Sequence, residues 1–285
     1  MGMKQYLLIL LTILMTNATV AQNRWAIVVG ISDYPTESGW SKINGANDLD
    51  LIVPMLQRSG FQASHIKTLA NKQASKNNIR TALIQVCKNL RKGDVVYFHF
   101  SGHGQLITDT NGDDCDRGWD QSLIPYDAKR KYDSDGYRGE KHIVDDELNE
   151  WLHLLRNKIG ENGKLIAVLD ACHSGGGSRD EAEDGIIFRG VADRFVLPKP
   201  IGAQNATPKG IEWVCISACK WVQSNEEYLG FGRLSYALSK IFDISLTIGQ
   251  LKTAIEEQYT KMPKMDRLPQ EPIVEHTCAD IETIM

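Results

Sequence analysis

The chain of 285 residues has no basic run, no sustained heptad, no internal repeat and no low-complexity tract. With a formal charge of −4, the missing basic run argues against a nucleic-acid binder, which concentrates Lys and Arg into a patch. The lack of heptads and repeats excludes coiled coils and solenoids. The glycines at Gly175 to Gly177 are not followed by the Lys-Ser/Thr of a phosphate-binding loop. Ser174 lacks a Gly-x-Ser-x-Gly elbow, because Cys172 stands where the first glycine belongs. Cysteine is present six times, at Cys87, Cys115, Cys172, Cys215, Cys219 and Cys278, without the spacing of a disulfide framework. Cys215 and Cys219 have no second close pair for zinc, and the apolar run Trp213 to Ser217 makes them read as buried thiols.

The apolar run from Tyr6 to Met15 is too short to span a bilayer. Lys4 precedes it and small residues lead to Gln22, so the pattern predicts an export signal cleaved after Ala21, with no stable membrane association afterwards. No cysteine follows closely enough for lipid attachment. The protein is expected to be periplasmic or secreted. Residues 22–285 are enough for one large α/β domain.

What is there begins with a buried strand from Trp25 to Gly30, followed by Ala46, Leu49, Val53 and Leu56 at helical spacing. A short strand at Ile66 to Leu69 precedes a helix capped by Ser75, with Ile79, Leu83, Val86 and Leu90 on one face. An acidic, glycine-containing segment runs from Thr108 to Glu140. Asp145-Asp146-Glu147 then opens a helix carrying Leu148, Trp151, Leu152 and Leu155. Gly176 to Gly210 reads as a long surface loop, and loops of that length are usually functional or disordered. Trp213 to Ser217 reads as a strand, Leu234 to Ile241 as a helix, and Met262 to Glu275 as a proline-bearing surface segment.

Two continuous apolar runs, Val95 to Phe100 and Leu165 to Leu169, suit strands buried on both faces of a parallel sheet. Each stops at small residues bearing one reactive side chain, His103 in the first and Cys172 in the second. Chemistry in such sheets gathers at the carboxyl ends of the strands. A thiol needs a base to raise its thiolate fraction, and His103 is the candidate. Gly102, Gly104 and Gly175 leave room for a substrate backbone and for N–H groups that could hold an oxyanion. His99 lies within its strand and reads as a packing residue, and His173 points elsewhere because it directly follows the cysteine.

Ser101-Gly102-His103-Gly104 and Asp170-Ala171-Cys172-His173-Ser174-Gly175 resemble the two catalytic motifs of the metacaspases, among the caspase-like cysteine peptidases. Asn47-Asp48 after the first strand, the helix order and the segment Trp213 to Glu226 also fit. The resemblance implies a caspase-like (caspase-hemoglobinase) α/β fold, a mostly parallel six-stranded sheet with helices on both faces. It also implies a thiol endopeptidase whose oxyanion hole is formed by the N–H groups of Cys172 and Gly104. Caspases proper carry glutamine two residues before the cysteine, with the histidine about 50 residues upstream. Here Asp170 replaces that glutamine, on the strand face of the nucleophile, and His103 lies farther away.

In metacaspases the residues matching Asp170, Asp48 and Ser101 form a pocket for Arg or Lys before the cleaved bond. Read locally, Asp170 could instead make a strand-end hydrogen bond and Asp48 a helix cap. The resemblance further implies Ca2+ at Asp120, Asp145 and Asp146, with a further ligand near Asp180 where the spacing is off by one. Acidic residues at a helix N-terminus also occur without metal, and Asp109 to Asp114 is not an EF-hand, its glycine falling at the fourth place. The expected function is cleavage of protein or peptide substrates after Arg or Lys. Self-processing is expected in the segment holding Arg179, Arg189, Arg194, Lys199 and Lys209. The rivals are a catalytically silent module presenting an acidic cleft to basic partners, and a calcium-binding structural protein with an incidental thiol.

Overall fold

A computed structural model describes residues 22–112, 118–172, 186–198, 211–242, 246–264 and 269–276. The leader, Cys115, His173, Ser174, Arg179, Asp180, Lys199, Lys209 and Cys278 lie outside the described residues, so the calls made on them do too. The strands in chain order are β1 (Arg24–Gly30), β2 (Ile66–Ala70), β3 (Val95–Ser101), β4 (Gly104–Thr108), β5 (Trp119–Leu123), β6 (Ile143–Val144), β7 (Lys164–Asp170), β8 (Val214–Ser217), β9 (Glu227–Tyr228), β10 (Phe231–Gly232) and β11 (Ile273–Glu275). The helices are α1 (Leu49–Arg58), α2 (Lys76–Asn89), α3 (Asp145–Ile159), α4 (Arg233–Ile241) and α5 (Ile248–Lys261).

Six strands form the central sheet in the order β11-β8-β7-β3-β1-β2, and all but β11 run parallel. Alternation along each strand sends side chains to opposite faces, and both faces are apolar. Ile27, Val29, Phe98 and Phe100 meet one layer, to which α2 and α3 contribute Leu83, Val86, Trp151 and Leu155. Ala26, Val28, Ile166 and Val168 meet the other, built by Ile52 and Leu56 of α1, Leu234 and Leu238 of α4, and Leu251 and Ile255 of α5. Helices therefore cover both faces, as continuous apolar strands require.

The chain steps from β1 out to β2 and back to β3 on the other side, so the sheet order reverses at β1. Ligand sites of open α/β sheets form at such a reversal, beyond the carboxyl ends of the strands. Ser75 accepts the Asn78 N–H and caps α2 as expected. Three short pieces depart from the sequence reading. The acidic segment after Thr108 contributes β5, which pairs with β4 and β6 in a second sheet of three strands. The C-terminal stretch, expected on the surface, supplies β11 as an antiparallel edge strand on β8. Residues 186–198 do not lie wholly at the surface either: Val191 and Phe195 are buried, and Phe195 packs against Tyr137 and His142.

Candidate active site

Parallel pairing of β3 with β7 sets Ser101 beside Asp170. The chain beyond each strand therefore brings His103 and Cys172 to the same end of the sheet from neighbouring strands, and both are fully buried. His103 is held on every side. Its ring lies against Trp40 at 5.0 Å and Tyr34 at 5.1 Å between centroids. Its backbone N–H donates to the Tyr34 hydroxyl at 3.0 Å, and that hydroxyl donates to the Ile124 carbonyl.

The Ser41 carbonyl accepts from His103 Nε2 at 2.9 Å, which assigns the proton of the neutral ring to Nε2 and leaves Nδ1 as the basic nitrogen. Nδ1 is buried and has no hydrogen-bond partner among the described residues. Burial pushes the His103 pKa down to about 4 against the pull of the Ser41 carbonyl, and the Arg189 cation lowers it further. This orienting group is invisible at the level of residue types, since a backbone carbonyl carries no residue signature.

The Cys172 thiol donates to the Gln223 carbonyl at 2.7 Å, and Cys219 donates to the same oxygen at 3.4 Å. The neighbouring Cys172 and burial push the Cys219 thiol well above its ordinary value, so Cys219 stays protonated and does not compete as a nucleophile. Burial also raises Cys215, to about 12. No cysteine among the described residues is in a disulfide.

Asp48, Ser101 and Asp170 come together as the sequence reading required, and what they surround is a guanidinium of the chain itself. Arg189 is 0% exposed. Its Nη1 donates to Asp48 Oδ2 at 2.7 Å and to Ser101 Oγ at 2.5 Å, and stands 3.5 Å from Asp170 Oδ1. Its Nε donates to Glu227 Oε1 at 3.0 Å. Burial works against the guanidinium charge, but Asp48, Asp170 and Glu227 more than offset it and raise the Arg189 pKa. Nη2 has no hydrogen-bond partner among the described residues. An unsatisfied buried donor costs about 1–3 kcal/mol, so the seat is tight without being complete.

The carboxylates are locked by donors of their own. Asp170 accepts from Asn225 Nδ2 at 2.8 Å and from the Ser235 N–H and hydroxyl at 2.8 and 2.7 Å. Burial alone would raise its pKa, but Arg189 and these bonds outweigh it and hold the carboxyl below its usual range. Ser235 in turn accepts from His99 Nε2 at 3.1 Å, while the Tyr97 hydroxyl faces His99 Nδ1 at 3.3 Å. His99 thus supports the pocket floor from inside its strand, in keeping with its reading as a packing residue. Burial lowers its pKa to about 4, keeping it neutral.

Asp48 makes no capping bond to α1. It accepts from Ser101, from Arg189 and from the Gly232 N–H at 2.9 Å. A Cβ at Gly232 would fall 2.1 Å from Asp170 Oδ2 and 2.3 Å from Arg189 Nη1, so only glycine fits that wall. Glu227, Asn225 and Gly232 escaped the sequence reading. The available signal was the Leu229-Gly230 hairpin turn, where both residues have positive φ, 54° and 77°, placing β9 and β10 beside the strand ends.

The proposed calcium residues sit elsewhere. Asp120 is buried on β5, and Asp145 and Asp146 open α3, where Asp145 Oδ2 accepts from the Gln121 N–H at 3.3 Å and Asp146 accepts from Asn111. Among the described residues no three His, Cys, Asp or Glu side chains are grouped to hold a metal ion, so their donor set alone does not complete a calcium shell. No helix among the described residues is long and apolar enough to cross a membrane.

A solved protein from Geobacter sulfurreducens shares the fold, with a TM-score of 0.62, 20% identity and 91% of this chain and 97% of its own covered. Metacaspase-2 of Arabidopsis thaliana is 35% identical over 157 residues, which is 53% of this chain and 34% of that relative. Metacaspase-3 of the same plant is 37% identical over 127 residues, 42% of this chain and 32% of its own length. Metacaspase-2 of Trypanosoma brucei brucei is 29% identical over 158 residues, covering 53% and 41%. The matched region spans only about a third of the plant relatives' length. The metacaspase, peptidase C14 domain family matches residues 24–178, a span that holds β1 to β7 with both His103 and Cys172, and the chain belongs to that family.

Proposed function

We propose that the protein is an exported thiol endopeptidase that hydrolyses peptide bonds after Arg or Lys. The observation that carries this reading is the acidic pocket of Asp48, Ser101, Asp170 and Glu227, which holds a guanidinium beside the backbone N–H of Cys172.

His103 Nδ1 takes the thiol proton, Nε2 being committed to the Ser41 carbonyl. The Cys172 thiolate attacks the carbonyl carbon of the basic residue, whose oxygen is held by the Cys172 and Gly104 N–H groups. The amine leaves with the proton from His103, and water then hydrolyses the thioester. Calcium stimulation through Asp120, Asp145 and Asp146 and self-processing in the segment after Cys172 belong to the same reading.

Fluorogenic Arg, Lys and Asp peptides, with a Cys172→Ala control and a calcium titration, test it. Turnover of Arg and Lys peptides alone supports the reading. Binding of basic peptides without turnover would favour a silent module, and equal turnover of Asp peptides would remove the pocket assignment. A mature N-terminus at Gln22 in the exported fraction tests the leader.

A further inference from the structure

The helix layer over one face of the sheet leaves a groove between α2 and α3. On α2, Arg80, Ile84, Cys87 and Lys88 fall on one stripe at helical spacing, and on α3 Trp151, Leu154, Leu155 and Lys158 do the same. Both helices lead into parallel strands, α2 into β3 and α3 into β7, so the two stripes run side by side and enclose about 290 Å³. Leu83, Trp151 and Leu155 are buried and make the floor. Ile84 and Leu154 make the walls and are 38% and 57% exposed. Apolar residues exposed singly are ordinary, whereas contiguous ones lining a concavity mark a binding site.

The charge around this groove is of one sign. Arg80 stands at one end, and Lys88 and Lys158, each in the last turn of its helix, stand at the other. No carboxylate is among the lining residues, and none of the three cations makes an ion pair or a side-chain hydrogen bond among the described residues. The lysine end lies toward the amino ends of β3 and β7, whereas Cys172 follows the carboxyl end of β7. The groove is therefore separate from the catalytic site.

We propose that this groove binds a free monocarboxylate with a single acyl chain, its carboxylate at Lys88 and Lys158 and its chain along Ile84, Leu154 and Trp151. The head belongs at the lysine end because two cations converge there and one stands at the other. From Arg80 to Lys88 the helix advances about 12 Å, the extended length of a chain of about ten carbons. The volume lies near the lower limit of small-molecule sites, about 300 Å³. This site does not depend on the peptidase reading and stands or falls without it.

Calorimetry of the purified full chain with decanoate, below its micelle-forming concentration, tests this. Decanoate should bind at one site, with hexanoate about tenfold or more weaker for want of buried methylenes and decanol about fivefold weaker for want of the charge. Lys88→Gln with Lys158→Gln should weaken decanoate about fivefold and leave decanol unchanged. Leu154→Asn should weaken both. Cys87, half-buried in the groove with its thiol donating to the Leu154 carbonyl at 3.8 Å, is the reporter of place: decanoate should slow its alkylation by N-ethylmaleimide, mapped by mass spectrometry. No saturable decanoate binding, equal affinity for decanol, or an unprotected Cys87 overturns the inference. Basic residues in a last helical turn also complement the helix dipole, so a lower melting temperature of the double lysine variant with unchanged decanoate affinity would confine both lysines to that role and overturn it too. A dimer in solution that Leu154→Asn dissolves would give the groove to a second copy of the chain, with the same consequence.

Discussion

The molecule holds two acidic clusters that differ in construction, one assembled from distant positions and one contiguous in the chain. Around Arg189, Asp48 and Asp170 are fully buried, and each carboxylate faces fixed donors from a backbone N–H, a hydroxyl or an amide. At the start of α3, Asp145 and Asp146 are half-buried and placed where a helix N-terminus already favours negative charge. A dry carboxylate depends on its cation, because removing one partner leaves an uncompensated buried charge. A half-exposed one has water as an alternative and can await an ion without destabilising the fold.

Neutralising the first cluster is the hardest test of this contrast. Asp170→Asn or Asp48→Asn should cost about 3–5 kcal/mol in chemical denaturation, as breaking a buried pair does, and should remove most turnover of Arg substrates. A loss below about 1 kcal/mol would mean that the pocket is wet.

Acid attacks the same interior through its histidines. His99 and His103 have pKa values of about 4 and His142 about 3, all held down chiefly by burial, against about 6.5 unfolded. Between pH 6.5 and 4 the unfolded chain binds protons that the folded chain refuses, so stability falls as pH is lowered, by on the order of 3 kcal/mol per histidine. Denaturant midpoints measured from pH 7.5 to 4 should drop steadily across that window, and a flat profile would contradict the neutral, buried assignment. Activity should persist below pH 6.5 for as long as the fold does, because His103 Nδ1 remains unprotonated there.

A finer probe lies within the pocket. Glu227→Gln weakens the contact to Nε, an atom that lysine lacks, so it should lower the preference for Arg over Lys about tenfold in kcat/KM. An unchanged ratio would assign Glu227 to the Asn44 contacts it also makes. The smallest effect belongs to the second cluster. Asp145→Ala with Asp146→Ala should change stability by less than about 1 kcal/mol without calcium, yet abolish any calcium stimulation of peptide hydrolysis.

This contrast also marks what the sequence could reveal. The unbroken apolar runs of β1, β3 and β7 announced buried parallel strands, and with them the placement of His103 and Cys172. Asp170 was legible at the end of such a run, on the strand face of the nucleophile, whereas Asp48 and Ser101 were marked only by the resemblance to the metacaspases. β5 and β11 were not legible, since strands of three to five residues with polar faces carry little periodicity and are fixed by their neighbours. Arg189 was visible only as one of several basic residues in a loop. Nothing local distinguishes a buried arginine from a solvated one when its partners come from positions 48, 170 and 227.

The strand order carries a last consequence. A break in the segment that joins β7 to β8 would separate β1, β2, β3 and β7 from β8 and β11, yet β8 is hydrogen-bonded to β7 along four residue pairs, Ile166 to Leu169 against Val214 to Ser217. One covalent chain would become two that share a sheet, and unfolding would become a dissociation governed by mass action. Its melting temperature should then rise with protein concentration, whereas that of the intact chain should not, so dilution alone would limit the lifetime of the cut form.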